Sequence, residues 1–323
     1  MENYEGPKYY TTSDKVKETI RKYGIAIVPD LLDSDEIEAI KDGSWEYLET
    51  VTQKFNNPIR RADKTTWGSI KGLYPINGMQ LTRWKIGHAQ YIWDLRQNPK
   101  ILDVFCNIWN KEPEELLVSF DGASIGMPPE ATTIKYEKKL PPLHCDQRYS
   151  KNTFESVQSW INGYETRPGD ATLAFYEGSH KFHKDFAEKF GHEGDDKDFY
   201  TLTKEENDYY IDRCGIHKSV MCPAGSLVLW DSRLIHCGQQ VLKNRPRPNM
   251  RSVVFLCYAP RSQITAENLR KKQQAFLDMS MTTHWPTRVV IPRPPNLYGK
   301  RMEEITNIPR PVVSEVGMKL AGF

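Results

Sequence analysis

Apolar residues recur at helical spacing through the first part of the chain. Val16 and Ile20 lie one helical turn apart and predict a first helix. Ser34 supplies the N-cap signal of a second helix, which Ile40 continues. Residues 1–112 are therefore predicted to form a mostly helical scaffold. Its predicted elements are helices around 16–20, 34–48, 91–98 and 101–110, with one buried strand at 24–28.

Beyond this scaffold the pattern changes to short apolar segments that are separated by Gly, Pro, Asp and Asn. Such a series of strands and turns is typical of a β-sandwich or jelly roll, whereas a parallel sheet would need a helix between successive strands. We therefore predict a β core over residues 113–260. Its predicted strands are 116–121, 132–136, 157–164, 171–176, 219–222, 226–230 and 252–258, with helical insertions over 182–190 and 204–212.

The last part of the chain, residues 261–323, is predicted to add a charged helix over 265–279 and a proline-rich tail from 293 onward that wraps the surface. No stretch has the composition of a linker, and the sequence contains no internal repeat. Residues 1–323 are therefore predicted to form one domain. Its fold class is mainly β with helical additions (α+β), a β core flanked by N-terminal and C-terminal helices.

The charge balance changes the picture of possible partners. The chain carries 44 Lys and Arg residues against 42 Asp and Glu residues, and the net charge of +2 gives no electrostatic reason to expect nucleic acid or an anionic membrane surface. No apolar run approaches the ~20 residues that a membrane span requires. We expect the partner to be a small molecule or a protein.

The cysteines and the two ends of the chain indicate a compartment. Six cysteines are scattered without a Cys-x-x-Cys pair, which argues against a zinc ribbon or a disulfide framework. The start of the chain lacks the basic and apolar regions of a signal peptide, and its end, Leu-Ala-Gly-Phe, is not a peroxisomal address. We therefore expect a cytoplasmic protein.

A histidine and an aspartate stand two residues apart at His144 and Asp146, where a strand is expected to end. In extended backbone, residues i and i+2 project to the same face, so both side chains can reach one metal ion. The spacing alone is weak evidence, because a hydrogen-bonded loop pair would show it too. His183 and Asp185 repeat it on a predicted helix, where the two side chains point about 200° apart and cannot share an ion. We expect that second pair to lie on a solvated helix face.

His236 is the candidate for a third ligand. It follows a glycine-started apolar strand over 225–230 and a polar turn, and it stands two residues before Gly238. Two histidines and one carboxylate leave three positions of an octahedron open, and iron(II) needs these to bind a bidentate 2-oxo acid and O2. His144, Asp146 and His236 are therefore the candidate metal ligands.

Arg251 stands at the head of the last predicted core strand. It shares a strand face with Val253 and Phe255, so its guanidinium would point into an apolar barrel unless an anion meets it. A carboxylate that accepts two hydrogen bonds, such as the C5 group of 2-oxoglutarate, is the natural partner. Arg245 and Arg247 are rival candidates in a loop, and a surface ion pair is the alternative role for Arg251.

Taken together, these motifs resemble the phytanoyl-CoA dioxygenase family of iron(II)- and 2-oxoglutarate-dependent oxygenases. The resemblance covers roughly residues 85–258, and the motifs stand in the family's order. They are Pro-Leu-His-Cys-Asp at 142–146, a tryptophan at 160, Gly-Ser-His-Lys at 178–181, the segment 225–238 and the arginine at 251.

The resemblance implies a double-stranded β-helix, or jelly roll, that carries iron(II) on the His-Asp-His set. It implies that Arg251 anchors the cosubstrate 2-oxoglutarate and that Trp160 and Lys85 lie near it. The implied reaction uses O2 to hydroxylate a C–H bond and releases succinate and CO2. The Gly-Ser-His motif follows Glu177, where the family commonly has a proline.

Other functions remain open at this point. The chain could be a cupin-type metal enzyme that uses no 2-oxoglutarate, or a binding module with a dead site. Related halogenases lack the carboxylate ligand, so the presence of Asp146 favours hydroxylation. No motif identifies the substrate: a basic cluster at Lys135, Lys138 and Lys139 could favour an anion or could simply be a solvated face.

Overall fold

The computed structural model of the protein describes residues 3–73, 80–132, 142–292 and 307–323. In this part of the chain two β-sheets pack face to face, and short helices surround them. The strands, in chain order, are β1 (Tyr4–Glu5), β2 (Ile25–Val28), β3 (Gln80–Leu81), β4 (Leu116–Val118), β5 (Ala123–Gly126), β6 (His144–Cys145), β7 (Val157–Asn162), β8 (Thr172–Phe175), β9 (Tyr200–Thr201), β10 (Lys218–Val220), β11 (Leu227–Asp231), β12 (His236–Gln239), β13 (Arg251–Phe255) and β14 (Tyr258–Pro260).

The two sheets form a double-stranded β-helix, as predicted. The strand order of the first sheet is β1-β10-β8-β12-β6-β9, and that of the second is β2-β11-β7-β13-β5-β3. The described strand pairs are antiparallel except for β1 with β10. The strands from β10 to β13 alternate between the two sheets, so the chain winds around the barrel. β4 and β14 form a separate pair.

The central strand β11 is buried at every position because both of its faces meet apolar side chains. Val228 and Trp230 lie between the sheets, where they join Phe175 of the first sheet. Leu227 and Leu229 belong to a second apolar cluster, which the N-terminal helices cover. Each buried leucine contributes ~1.5–3 kcal/mol, so the helical scaffold stabilises the sheet from its outer side.

The helices agree with the predicted ones to within three residues at each end, but one cap was misassigned. Asp33, and not Ser34, caps the second helix. Its carboxylate accepts the backbone N–H of Glu36, and the Glu36 side chain accepts the N–H of Asp33. The helices are α1 (Val16–Tyr23), α2 (Ser34–Val51), α3 (Gln90–Arg96), α4 (Pro99–Trp109), α5 (His183–Phe190), α6 (Lys204–Cys214), α7 (Ala266–Leu277) and α8 (Glu315–Ala321).

The C-terminal tail differs from expectation. Residues 307–323 include α8, whose Leu320 is fully buried, so this part of the tail packs into the core as a helix instead of wrapping the surface. Arg261 joins the tail to the barrel by donating to the carbonyl of Lys319 (2.6 Å). The prolines before α8 argued against helix in this segment, so this helix of only two turns was not predicted. Residues 293–306 lie outside the described part of the chain.

Among the strands that escaped prediction, β5 and β12 contribute to the candidate site. β5 contains Ser124 and Gly126, which are poor strand formers, and pairing with β13 holds it in the sheet. β12 begins at the candidate ligand His236 and pairs with β6 and β8. The predicted strand 252–258 is divided into β13 and β14. From residue 133 onward, the predicted strand 132–136 lies outside the described residues.

Two findings bear on the surroundings of the protein. None of the helices in the described residues is both long enough and apolar enough to cross a lipid bilayer. All six cysteines are free thiols. The organisation of the chain as one domain and its cytoplasmic location stay predictions.

Candidate metal centre

Two neighbouring strands bring the candidate ligands together. β6 and β12 are antiparallel neighbours, and His144 lies opposite His236 in their register. Asp146 follows β6 by one residue, and its backbone N–H donates to the carbonyl of Ser232 (3.1 Å) in the turn before β12. One ligand atom from each of the three side chains lies within 4.8 Å of the other two. The His-Asp-His set is therefore a compact group that can hold a metal ion.

Backbone carbonyls orient both imidazoles. Nδ1 of His144 lies 2.9 Å from the carbonyl oxygen of Pro142, and Nδ1 of His236 lies 2.9 Å from that of Leu234. A carbonyl oxygen can only accept a hydrogen bond, so each Nδ1 carries a proton. In the neutral form of either ring, Nε2 then keeps a free lone pair. The two Nε2 atoms lie 3.8 and 3.3 Å from Oδ2 of Asp146.

The carboxylate of Asp146 is buried and held in place. Gln158 on β7 donates from Nε2 to Oδ2 at 2.8 Å. Burial opposes ionisation, but the imidazoles of His144, His284 and His236 together outweigh it and hold the pKa of this carboxyl group well below its usual range. The carboxylate is therefore charged at neutral pH.

The donor set fits a divalent metal ion. Nε2 of each imidazole and Oδ2 of the carboxylate converge, and when both rings are neutral this arrangement of lone pairs is repulsive until a cation enters. Burial lowers the pKa of His144, and the neighbouring His236 lowers it further, which favours the neutral imidazole that a metal binds. Two histidines and one carboxylate with open positions are the ligand set of non-haem iron(II) oxygenases.

Arg251 begins β13, and its guanidinium faces the same cavity as the candidate ligands. Nε donates to Oγ of Ser124 (3.0 Å), and a terminal nitrogen donates to the carbonyl of Ala171 (2.9 Å). Arg251 forms no ion pair with a carboxylate of the described residues, and burial lowers its pKa to about 10. A half-buried guanidinium that is fixed by neutral acceptors and keeps donors free is suited to bind a carboxylate.

Of the two other residues predicted to lie near 2-oxoglutarate, Trp160 lines the cavity and Lys85 does not. Trp160 is almost fully buried and lines the cavity, with its ring centroid 5.7 Å from the guanidinium carbon of Arg251. Lys85 stands before a short 3-10 turn with φ 55°, and it is not among the described residues that line the cavity. Of the rival arginines, Arg245 is already paired with two carboxylates, and Arg247 is exposed.

The candidate ligands, Arg251 and Trp160 face one cavity of about 590 Å³, a volume typical of small-molecule sites. Asp121 and His284 also line it, and Nε2 of His284 is buried without a hydrogen-bond partner among the residues that the structure describes. Burial raises the pKa of Asp121. Beyond the metal-binding set, the cavity therefore offers polar groups for a bound molecule.

The second His-x-Asp pair does not form a site. Asp185 is exposed, whereas His183 is buried, so the two side chains diverge as the helical geometry requires. The expectation of a solvated face was wrong for His183, whose ring stacks on Tyr149 with the centroids 4.5 Å apart. His183 shares the inward face of α5 with Phe186, one turn later.

Three residues that orient the site were missed in the sequence. Gln158 lies two positions before the cavity tryptophan on the same strand face, and this alternation could have identified it. Ser124 lies on β5, which carries no strand signal. Ser179 accepts the backbone N–H of Ile235 through Oγ (2.8 Å), directly before His236, and this contact gives the Gly-Ser-His motif a structural role.

Comparison with known proteins agrees with this geometry. The sequence pattern of the family described as Phytanoyl-CoA dioxygenase (PhyH) matches residues 20–249, which include the three candidate ligands and end just before Arg251. "Ava biosynthesis cluster protein O" of Aspergillus versicolor is 25% identical over 288 residues, which are 85% of this chain and 86% of that protein.

A solved structure shows a similar fold. It is "GlcNAc Inducible Gene 2, GIG2 (DUF1479)" from Candida albicans, with a TM-score of 0.53 and 15% identity, over 84% of this chain and 71% of that one. The family pattern spans well over half of the chain and includes both strands of the metal-binding set. The chain belongs to the phytanoyl-CoA dioxygenase (PhyH) family.

Proposed function

We propose that this protein hydroxylates a C–H bond of a small-molecule substrate, with iron(II) on His144, Asp146 and His236 and with 2-oxoglutarate held by Arg251. Membership of the PhyH family makes the chain an oxygenase-type enzyme that uses iron, 2-oxoglutarate and O2. The role of each residue, hydroxylation as the reaction and a small molecule as the substrate go beyond what family membership gives.

The observation that carries the proposal is the convergence of the Nε2 atoms of His144 and His236 on Oδ2 of Asp146, in the same cavity as the half-buried Arg251. The histidines and the carboxylate supply the facial ligand set, and the arginine supplies a separate anchor for a second carboxylate. Because Asp146 occupies the ligand position that related halogenases leave free for a halide, hydroxylation is favoured over halogenation.

Bound iron with 2-oxoglutarate and O2 would supply the oxidant, as the cosubstrate is converted to succinate and CO2. The protein's own residues prepare the site for this chemistry. Gln158 fixes the rotation of the Asp146 carboxylate, and Ser124 fixes the guanidinium of Arg251. Asp146 and the neighbouring wall residue Trp160 are buried, and the low local dielectric constant strengthens electrostatic contacts there.

Several observations support a small molecule as the substrate. The relative from Aspergillus versicolor is named as a protein of a biosynthesis cluster, and a cavity of about 590 Å³ suits a small molecule. The net charge of +2 gives no reason to prefer a nucleic acid. The basic cluster at Lys135, Lys138 and Lys139 lies outside the described residues. The free thiols support a reducing compartment such as the cytoplasm.

The structure offers an argument against each of the two alternative functions that the sequence left open. A cupin-type enzyme without 2-oxoglutarate would not need an arginine in the cavity that forms no ion pair with the described carboxylates, so Arg251 argues against it. A binding module with a dead site would not need an intact donor set on two paired strands, so the geometry of His144 and His236 argues against that function.

Anaerobic titration of the purified protein with iron(II) and 2-oxoglutarate tests the proposal. We expect a weak visible charge-transfer band that is lost in Asp146→Ala and retained in the matched control Asp185→Ala, followed by succinate release once O2 is admitted. A screen of succinate release over classes of small molecules then identifies the substrate. If the wild-type protein shows neither the band nor succinate, the assignment is wrong.

A further inference from the structure

Phe199 combines two unfavourable features at the entrance of the cavity. Its side chain is 56% exposed, and its backbone has φ 95°, a conformation that a bulky side chain rarely adopts. An exposed aromatic ring contributes little to the stability of the fold, and the backbone conformation costs free energy. Strain of this kind persists where surrounding contacts enforce it, which is often at a functional site.

Contacts on both sides of Phe199 enforce this conformation. Before it, the carboxylate of Asp198 accepts hydrogen bonds from Arg148 (3.0 and 2.8 Å) and from Arg288 (2.8 and 2.9 Å). After it, Tyr200 enters β9 and pairs with Cys145 of β6. The ring is thereby fixed relative to the strand that carries the first candidate ligand.

The fixed ring lies next to the candidate metal site. The centroids of the Phe199 and His144 rings are 4.9 Å apart, and both side chains line the cavity. Val290, which is 54% exposed, and Pro292 also line the cavity. Arg288 connects their segment to Asp198, so one ion-pair network holds both apolar groups.

The charges at this entrance are already balanced. Arg148 and Arg288 both bind Asp198, and Arg288 also binds Glu155. These two guanidinium groups are therefore not free to recognise an anionic substrate. Beside these paired charges, the described part of the entrance presents the exposed apolar surface of Phe199 and Val290 to a ligand.

We infer that Phe199 is a specificity-determining residue that, with Val290, binds an apolar and uncharged part of the substrate at the cavity entrance. The inference rests on the proposed function, because it treats this cavity as the substrate site. A bound apolar group would cover the exposed ring, and burying one phenylalanine side chain is sufficient to change affinity about tenfold or more.

Binding of Nile red, a neutral apolar fluorescent dye, tests the inference without turnover. The protein is loaded with iron(II) and 2-oxoglutarate under nitrogen, and the dissociation constant is read from dye fluorescence. Ile216 offers a matched control, because it is 58% exposed and does not line the cavity. We expect Phe199→Ala to weaken binding at least about tenfold and Ile216→Ala to leave it unchanged.

Phe199→Gly separates binding from folding. Glycine adopts φ 95° without strain, so we expect this variant to unfold at the same or a higher temperature and still to bind the dye weakly. Wild-type affinity in either Phe199 variant, or no dye binding by the wild-type protein, would overturn the inference. Absence of both the charge-transfer band and succinate release would instead refute the proposed function, because dye binding does not depend on turnover.

Discussion

His236 lies directly opposite His144 across the antiparallel pair of β12 and β6, with their ring centroids 4.4 Å apart. Side chains alternate between the two faces of a strand, so a slip of one residue in this register would turn one imidazole away from the other. The pairing of a two-residue strand with its neighbour therefore specifies the candidate metal site.

Replacing Asp146 with Ala should abolish iron binding. The substitution removes the carboxylate on which both Nε2 atoms converge. Loss of a residue that only orients a ligand typically costs 10–100-fold in metal affinity or activity. Loss of a ligand itself should therefore leave less than about one hundredth of wild-type succinate release. Metal analysis after reconstitution and desalting gives the iron content. Asp185→Ala is the control and should bind iron normally. Equal iron content in the Asp146 variant would exclude the proposed ligand set.

Replacing Gln158 with Leu should weaken iron binding without abolishing it. Gln158 donates to the carboxylate of Asp146 and does not itself belong to the ligand set. Loss of such an orienting contact typically costs 10–100-fold in metal affinity. Competition with a chelator of known affinity measures the effect, and the exposed Gln53 provides a control as Gln53→Leu. Unchanged affinity would show that the carboxylate does not need this hydrogen bond.

Replacing Arg251 with Gln should raise the KM for 2-oxoglutarate. Hydrogen bonds to a charged group contribute about 2 kcal/mol, and each 1.4 kcal/mol corresponds to a factor of ten, so we expect an increase of roughly 30-fold. Steady-state succinate release at varied 2-oxoglutarate gives KM and kcat separately. Arg247→Gln changes an exposed guanidinium and should leave both constants unchanged. A normal KM in the Arg251 variant would remove this residue from the cosubstrate site.

The stability of the fold should fall between pH 6.5 and pH 4 because of His88. Burial and, to a lesser extent, the charge of Arg96 together lower the pKa of His88 to about 3, whereas the unfolded chain has a value near 6.5. The unfolded state therefore binds the proton first, so stability is complete above pH 6.5 and decreases as the pH falls towards 3. We expect His88 to contribute about 1–3 kcal/mol to the loss.

The variant His88→Phe tests this pH dependence. The ring lies among Trp93, Phe120 and Phe276, so phenylalanine suits the environment, although it loses the contact with the carbonyl of Ser280. Urea unfolding at pH 7 and pH 4.5 gives both free energies. A smaller difference between the two pH values is expected in the variant, and an equal difference would assign the dependence to other groups.

The order of elements and the candidate ligands could be predicted because each depends on local patterns. Apolar spacing indicated the helices, and the glycine-started strand pointed to His236. The cap of α2 was missed by one residue because Asp33 and Ser34 are both good caps, and only the backbone N–H of Glu36 decides between them. Lys85 followed from resemblance alone and does not line the cavity.

The parts that escaped prediction depend on contacts between distant segments. β5 has weak strand formers, and its pairing with β13 creates it. Phe199 is in a charged loop without periodicity, and only the pairing of Asp198 with Arg148 and Arg288 brings its ring to the entrance. No local pattern contains this information, because the partners are separated by up to 90 residues.

The position of β9 at the edge of its sheet has a consequence for how such an enzyme can evolve. Among the described strands, β9 pairs with β6 on one side and is the last in the order of its sheet. The loop before it can therefore change in length or composition without disturbing the pairing of β6 with β12. Selection can exchange the residue at position 199 while the candidate ligands stay in place. The fold can therefore acquire new substrates without losing its metal-binding residues.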